Sequence, residues 1–282
     1  DVLFSRMRFQ EDEKQRIDAF VYHGELTPAQ RNTLATAPQK VRMEVPVPWK
    51  DLCGNAPIIS ALANNIRFEF HLRNASEIVQ TDGTKPASLT FTDINLEQQF
   101  IHMTGADRAD ATSLTLREDG LSYLFDEPQV VRKVIPAGSF GPGKKVVLDV
   151  NEFEGPISRI TGTNPDVARY DIDASLIEGM EYEMISNGIS LFERTDTKKV
   201  LPYYIKKFHR CGHEIEQLLL FWDEMPELKN AATGHISIGN FSVPKIVLYN
   251  DTVNTEDLDV TFYGKRFNWL NIQAGNYMRI WN

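Results

Sequence analysis

The clearest pattern of apolar and polar positions lies between Gly234 and Trp281, where short apolar runs follow one another with only turn residues between them. The runs are 236–238, 243–249, 258–263 and 267–272, and a last one, 277–281, closes the chain. Within them the period is two. Val243 is followed, after the turn-prone Pro244, by Ile246 and Leu248, and Val260 by Phe262, with polar or charged residues between. Alternation of this kind predicts strands with one face buried. Runs this short, about 8–12 residues apart, predict a β-sandwich or barrel in place of βαβ units.

The rest of the chain carries the same signal more weakly. Strand-like runs fall at 2–9 and 17–23, separated by the charged run 10–16, which reads as a solvated turn. Residues 24–38 have the Gly, Thr, Pro and Asn punctuation of a loop. Val41, Met43 and Val45 alternate before Pro46 and Pro48, which end any central strand because neither can donate to a ladder. Ile66, Phe68, Phe70 and Leu72 form the clearest strand of the first half, and 89–91 and 96–103 are further candidates. From Thr104 to Pro128 the period breaks and charge density rises, which predicts a link between two units. Strands are predicted again at 130–135 and 145–150 and, less sharply, at 200–208 and 214–222. The span 164–190 is the least periodic and predicts a long excursion with a short helix. Helical periodicity is otherwise weak, so the expected class is all-β with little helix.

Composition narrows the function. The chain has 282 residues, 42% of them hydrophobic, enough for one large all-β domain or two smaller ones. Its formal net charge of −9 argues against direct binding of nucleic acid, which needs a clustered basic footprint. Cys53 and Cys211 are too few for a disulfide framework and read as free thiols suited to a reducing compartment. No apolar run approaches the ~18 residues of a membrane span, and no signal peptide is visible. The chain begins at Asp1 without a methionine, as a processed product or a fragment would.

Candidate chemistry is sparse. Gly138, Gly143 and Lys144 have the spacing of a phosphate-cradling loop, but Lys145 replaces the hydroxyl that would hold magnesium. Pro142 removes a backbone donor, and residues 146–150 read as a strand where a helix N-terminus is needed. A connecting loop is the expectation. His209, Cys211 and His213 project from one face if extended, so a metal is sterically conceivable, yet no fourth ligand is near and no common zinc spacing is matched. No serine sits between glycines as a nucleophile elbow requires. Asp149, Glu152 and Glu154 read as solvated loop acids. Asn74, Asn240 and Asn250 begin glycosylation sequons, which matter only in a secreted chain. No catalytic residue, cofactor or metal is therefore expected.

The order of several features resembles the double jelly-roll major capsid proteins of large nucleocytoplasmic DNA viruses and their relatives. The resemblance rests on Val41 to Trp49 with its two prolines, on Asn55 to Leu62, and on the strand from Ile66 to Leu72. It continues through Asp93 to Glu97 and Gly120 to Phe125, which look like the linker between rolls. Ala232 to Ile238 is similar to the family's turn before a strand, and Phe267 to Gly275 to its last strand and glycine turn. Departures are visible: only Trp49 remains of an aromatic pair, and about five strand candidates precede Gly105 where a whole roll needs eight.

The resemblance implies residues 1–104 as the C-terminal part of a first jelly roll, 105–128 as the link, and 129–282 as a complete second roll, with the chain the end part of a longer protein. It also implies a structural, non-enzymatic role. The expected assembly is a homotrimeric, pseudo-hexagonal capsomer in an icosahedral shell built in the host cell interior. Neighbouring capsomers and minor capsid proteins are its partners, and an internal membrane is reached only indirectly. Trp49, Trp222 and Trp281 are the candidate interface anchors, each with core packing as the plainer alternative. The competing readings are a carbohydrate-binding jelly roll and a cupin-like metalloenzyme.

Overall fold

The computed structural model describes residues 104–116, 120–164, 179–197, 218–223, 232–273 and 276–279, together with Glu69, Ser88, Thr90 and Asn95. Everything expected of residues 1–68, including Trp49, and of His209, Cys211, His213 and Trp281 lies outside them.

The described chain opens with a helix, α1 (Gly105–Leu116). Thr104 caps it: the Asp107 N–H donates to Thr104 Oγ1 (3.2 Å), and the Thr104 hydroxyl donates back to the Asp107 carboxylate (2.6 Å). This reciprocal cap satisfies an amide that the first turn otherwise leaves open. Ten strands follow among the described residues: β1 (Leu121–Ile135), β2 (Lys145–Asp149), β3 (Pro156–Thr163), β4 (Glu181–Ser186), β5 (Ile189–Asp196), β6 (Leu218–Phe221), β7 (Ile236–Ser237), β8 (Lys245–Tyr249), β9 (Leu258–Gln273) and β10 (Asn276–Arg279). A 3-10 turn, Ile238–Asn240, follows β7.

They form two antiparallel sheets. One has the order β1-β9-β3-β6, with β7 pairing β3 and β10 pairing β9; the other has the order β2-β8-β4-β5. Successive strands cross from sheet to sheet, apart from the hairpins β4–β5 and β9–β10 and the short β7, and the first strand pairs with the penultimate one along its whole length. A six-stranded and a four-stranded layer joined by such crossovers are a jelly-roll sandwich. The main core lies between the layers. Val131, Ile135, Ile160, Leu218, Leu220, Val260 and Phe262 of the first sheet meet Leu148, Tyr182, Met184, Ile246 and Leu248 of the second, while Phe140, Val150 and Phe153 fill from loops. Strict alternation in β4, where Tyr182, Met184 and Ser186 are buried and their neighbours are not, is the period-two pattern at its plainest.

Several boundaries differ from the sequence expectation. The span 105–128 holds α1 and the first half of β1; Asp126, Glu127 and Pro128 interrupt the apolar period there, yet pair in register with Phe267, Arg266 and Lys265. The two runs 258–263 and 267–272 are one continuous strand, β9. Residues 181–186 and 189–196 form the β4–β5 hairpin inside and beyond the span read as an excursion, turning at Asn187 and Gly188, both with positive φ. That pair suits the tight turn that matches sheet twist.

Candidate assembly surface

The loop between β1 and β2 contains the near-match to a phosphate cradle, and its amides are already engaged. Gly138 N–H donates to the Asn254 carbonyl (2.8 Å), Phe140 N–H to the Asn254 side chain (3.0 Å), and Gly141 N–H to the Asn250 carbonyl (3.0 Å). Lys144 turns back onto the Gly138 carbonyl (3.0 Å). The loop is a connector seated on the β8–β9 turn, as its sequence predicts. The three acids are dispersed: Asp149 lies 3.8 Å from Lys245, Glu152 pairs with Lys133, and Glu154 is exposed. Among the described residues no group of three or more His, Cys, Asp and Glu is placed to hold a metal. No helix among them is long and apolar enough to cross a membrane.

The distinctive chemistry is instead ionic and lies on the strands. Glu127 of β1 ties three strands together. Its Oε2 accepts from Arg266 Nε (3.1 Å) and Nη2 and from Asn268 Nδ2 (2.8 Å) on β9, and its Oε1 accepts from Arg279 Nη1 (2.6 Å) on β10. Burial alone would raise its pKa, but the hydrogen bonds from Arg266 and Asn268 and the two guanidinium charges outweigh that and hold it below the usual carboxylate value. On the opposite side of the same ribbon Lys265 pairs with Asp126, beside a second apolar cluster of Leu124 and Phe267 with Tyr123 and Trp269 against it. His235 meets the edge of Phe267 at 6.4 Å. On β3, Arg159 pairs with Asp223 at 2.8 Å, and both side chains are only 2% exposed.

Aromatic residues close the side of the sandwich where β6 lies. The Tyr182 hydroxyl reaches across from the other sheet, donating to the Leu219 carbonyl (2.8 Å) and accepting from the Leu219 N–H (3.0 Å). Burial raises its pKa further above its ordinary alkaline value. Phe192 stacks on Tyr182 and meets the edges of Phe221 and Trp222. Trp222, the one interface candidate that lies among the described residues, is half-buried here, and its indole N–H donates to the Leu191 carbonyl (3.1 Å). The sequence offered no sign of the Glu127, Arg159 and Tyr182 interactions, because each joins residues from 37 to 152 positions apart.

The outward face of the four-stranded sheet carries several charged residues. Across it run Lys145, Tyr249, Glu181 and Asp196 in register, then Val147, Val247 and Glu183, then Asp149, Lys245 and Ile185. The Tyr249 hydroxyl donates to Glu183 Oε1 (2.5 Å), and the Arg194 guanidinium sits 3.9 Å over the Tyr249 ring while its Nε donates to Glu181 Oε2 (2.7 Å).

This arrangement belongs to the class of jelly-roll sandwiches. No protein-family model matches the sequence, and no curated protein matches it either. Among solved structures, the chain is similar to the capsid of the virus PBCV-1 at a TM-score of 0.50 and 14% identity, over 64% of this chain and 55% of that one. The same figures hold for PBCV-1 VP54 as fitted into a reconstruction of the virophage Sputnik. The likeness spans little more than half of those chains and establishes a shared fold.

Proposed function

We propose that the protein is a viral major capsid protein, a shell component that works by shape and contact and carries out no reaction. The observation that carries this reading is the strand order β1-β9-β3-β6 against β2-β8-β4-β5 in a chain whose fold is shared with the PBCV-1 virus capsid. Engagement of the phosphate-like loop by Asn250 and Asn254 supports a structural role for the one catalytic motif the sequence approaches.

In this reading residues 1–104 contribute part of a first roll beside the described sandwich. Three copies form a pseudo-hexagonal capsomer, and capsomers join one another and minor capsid proteins in the virion shell, assembled inside the host cell. Closed trimers repeat one patch on every subunit, and Trp222, with Trp49 and Trp281, anchors such a patch. The test is the mass of the purified chain by light scattering coupled to gel filtration. A trimer, with Trp222→Ala shifting it towards monomer, is the expected result; a chain that stays monomeric over the whole concentration range overturns the reading.

A further inference from the structure

The outward face of the β2-β8-β4-β5 sheet is divided by charge. Core residues Leu148, Ile246, Leu248, Tyr182 and Met184 alternate along these strands with the residues in question, so the latter point away from the core. The β2–β8 half presents Lys145 and Lys245, with Asp149 beside Lys245 at 3.8 Å. The β4–β5 half presents Glu181, Glu183 and Asp196, and its one cation among these rows, Arg194, is held on Glu181 and over the Tyr249 ring. On the edge strand β2, Val147 stands 44% exposed, an apolar spot at the outer side of the basic half, while its neighbour Val247 on β8 is buried.

We propose that this face is the contact surface for a second copy of the chain, seated face to face about a two-fold axis. Rotation by half a turn about an axis lying in the plane of the face and parallel to the strands lays the β2–β8 half of one copy over the β4–β5 half of the other. Lysines then meet glutamates twice, and Val147 is covered. Two sheets pack about 10 Å apart in such a contact, close enough for these side chains to pair. The charges supply register and rejection of wrong partners more than affinity. A two-fold contact cannot close a three-fold ring, so it joins subunits of neighbouring capsomers. The inference rests on the assembly reading, in that the partner is another copy.

The experiment follows particle mass by sedimentation over a concentration series. It compares the full wild-type chain, Lys145→Glu/Lys245→Glu, Glu181→Lys/Glu183→Lys, and an equimolar mixture of the two variants. Wild-type trimers are expected to associate further, less so as salt rises. Each variant alone should weaken that step by about tenfold or more while leaving the trimer, and the mixture should restore it, because a mainly acidic face then meets a mainly basic one. Circular dichroism melting checks the fold, and Glu181→Gln/Glu183→Gln is read in place of the lysine variant if that one fails to fold. Variants that associate beyond the trimer as the wild type does, or wild-type trimers that never associate at low salt, overturn the surface and leave the capsid reading standing. A wild-type chain without trimers overturns the capsid reading itself.

Discussion

Gly234 shows how a single residue is constrained from a distance. A Cβ built there would stand 2.1 Å from the Trp222 carbonyl oxygen and 3.0 Å from its carbon, backbone atoms with no room to yield. Gly234→Ala is therefore expected to cost about 2–4 kcal/mol through backbone displacement at the ends of β6 and β7, read as a lowered urea midpoint with little change in slope. The family resemblance implies a turn before a strand at this glycine; the close approach of Trp222 is invisible in the sequence. Val243 is a parallel case. Taken by alternation it begins a strand, but its backbone is left-handed (φ 54°), unusual for a β-branched residue, and β8 begins only at Lys245. At Tyr182, replacement by Phe keeps the ring against Phe192 and removes the hydroxyl. The Leu219 N–H and carbonyl then lose their buried partner, and an expected loss of about 1–3 kcal/mol should appear in chemical denaturation.

Among the elements, β9 is the one whose reading changed most. Its two apolar runs are separated by Gly264, Lys265 and Arg266, which look like a break. Each is explained by a partner elsewhere: Gly264 makes room for Phe153, whose ring carbon would be 2.6 Å from an added Cβ, Lys265 pairs with Asp126, and Arg266 with Glu127. Such charges interrupt the alternation of both strands, which is why 105–128 reads as a link although β1 begins at Leu121. Glu127 makes a prediction for this ribbon. Its folded pKa lies below its ordinary 4.5, so the stability it adds is present above pH 4.5 and is lost as pH falls through the folded value. Glu152, held down by Lys133 against a burial effect that would raise it, adds in the same direction. Glu127→Gln should lower stability at pH 7 and flatten its decline below pH 4.5. An unchanged acid limb in urea titrations across that range would contradict the role given to Glu127.

The described sandwich is held by contacts between distant parts of the chain. Leu121 pairs with Ile272 and Ile135 with Leu258, so the longest ladder closes only when both ends of the described sandwich are made. Loop closure of that span precedes any gain from pairing, and refolding is expected on the scale of about a second or slower, with a slope that shows late burial in stopped-flow dilution. Millisecond refolding of the full sandwich would argue that a local unit forms first.

What the sequence determined by itself is the local alternation. Period-two runs at 145–150, 243–249, 258–263 and 267–272 predict half-buried strands, and the turn residues between them a sandwich or barrel, because side chains on a pleated strand must point to alternate faces. Failure of the 138–145 loop as a nucleotide site was legible for the same local reason: Pro142 and Lys145 occupy positions where the chemistry needs a donor and a hydroxyl. Tertiary structure alone decided which strands are neighbours, that Glu127 and Arg159 find cations and anions to pair with, that Tyr182 caps β6, and that acids and lysines separate onto two halves of one outward face. These depend on residues brought together from far along the chain, and an unpaired charge in a sequence carries no mark of the partner that will neutralise it.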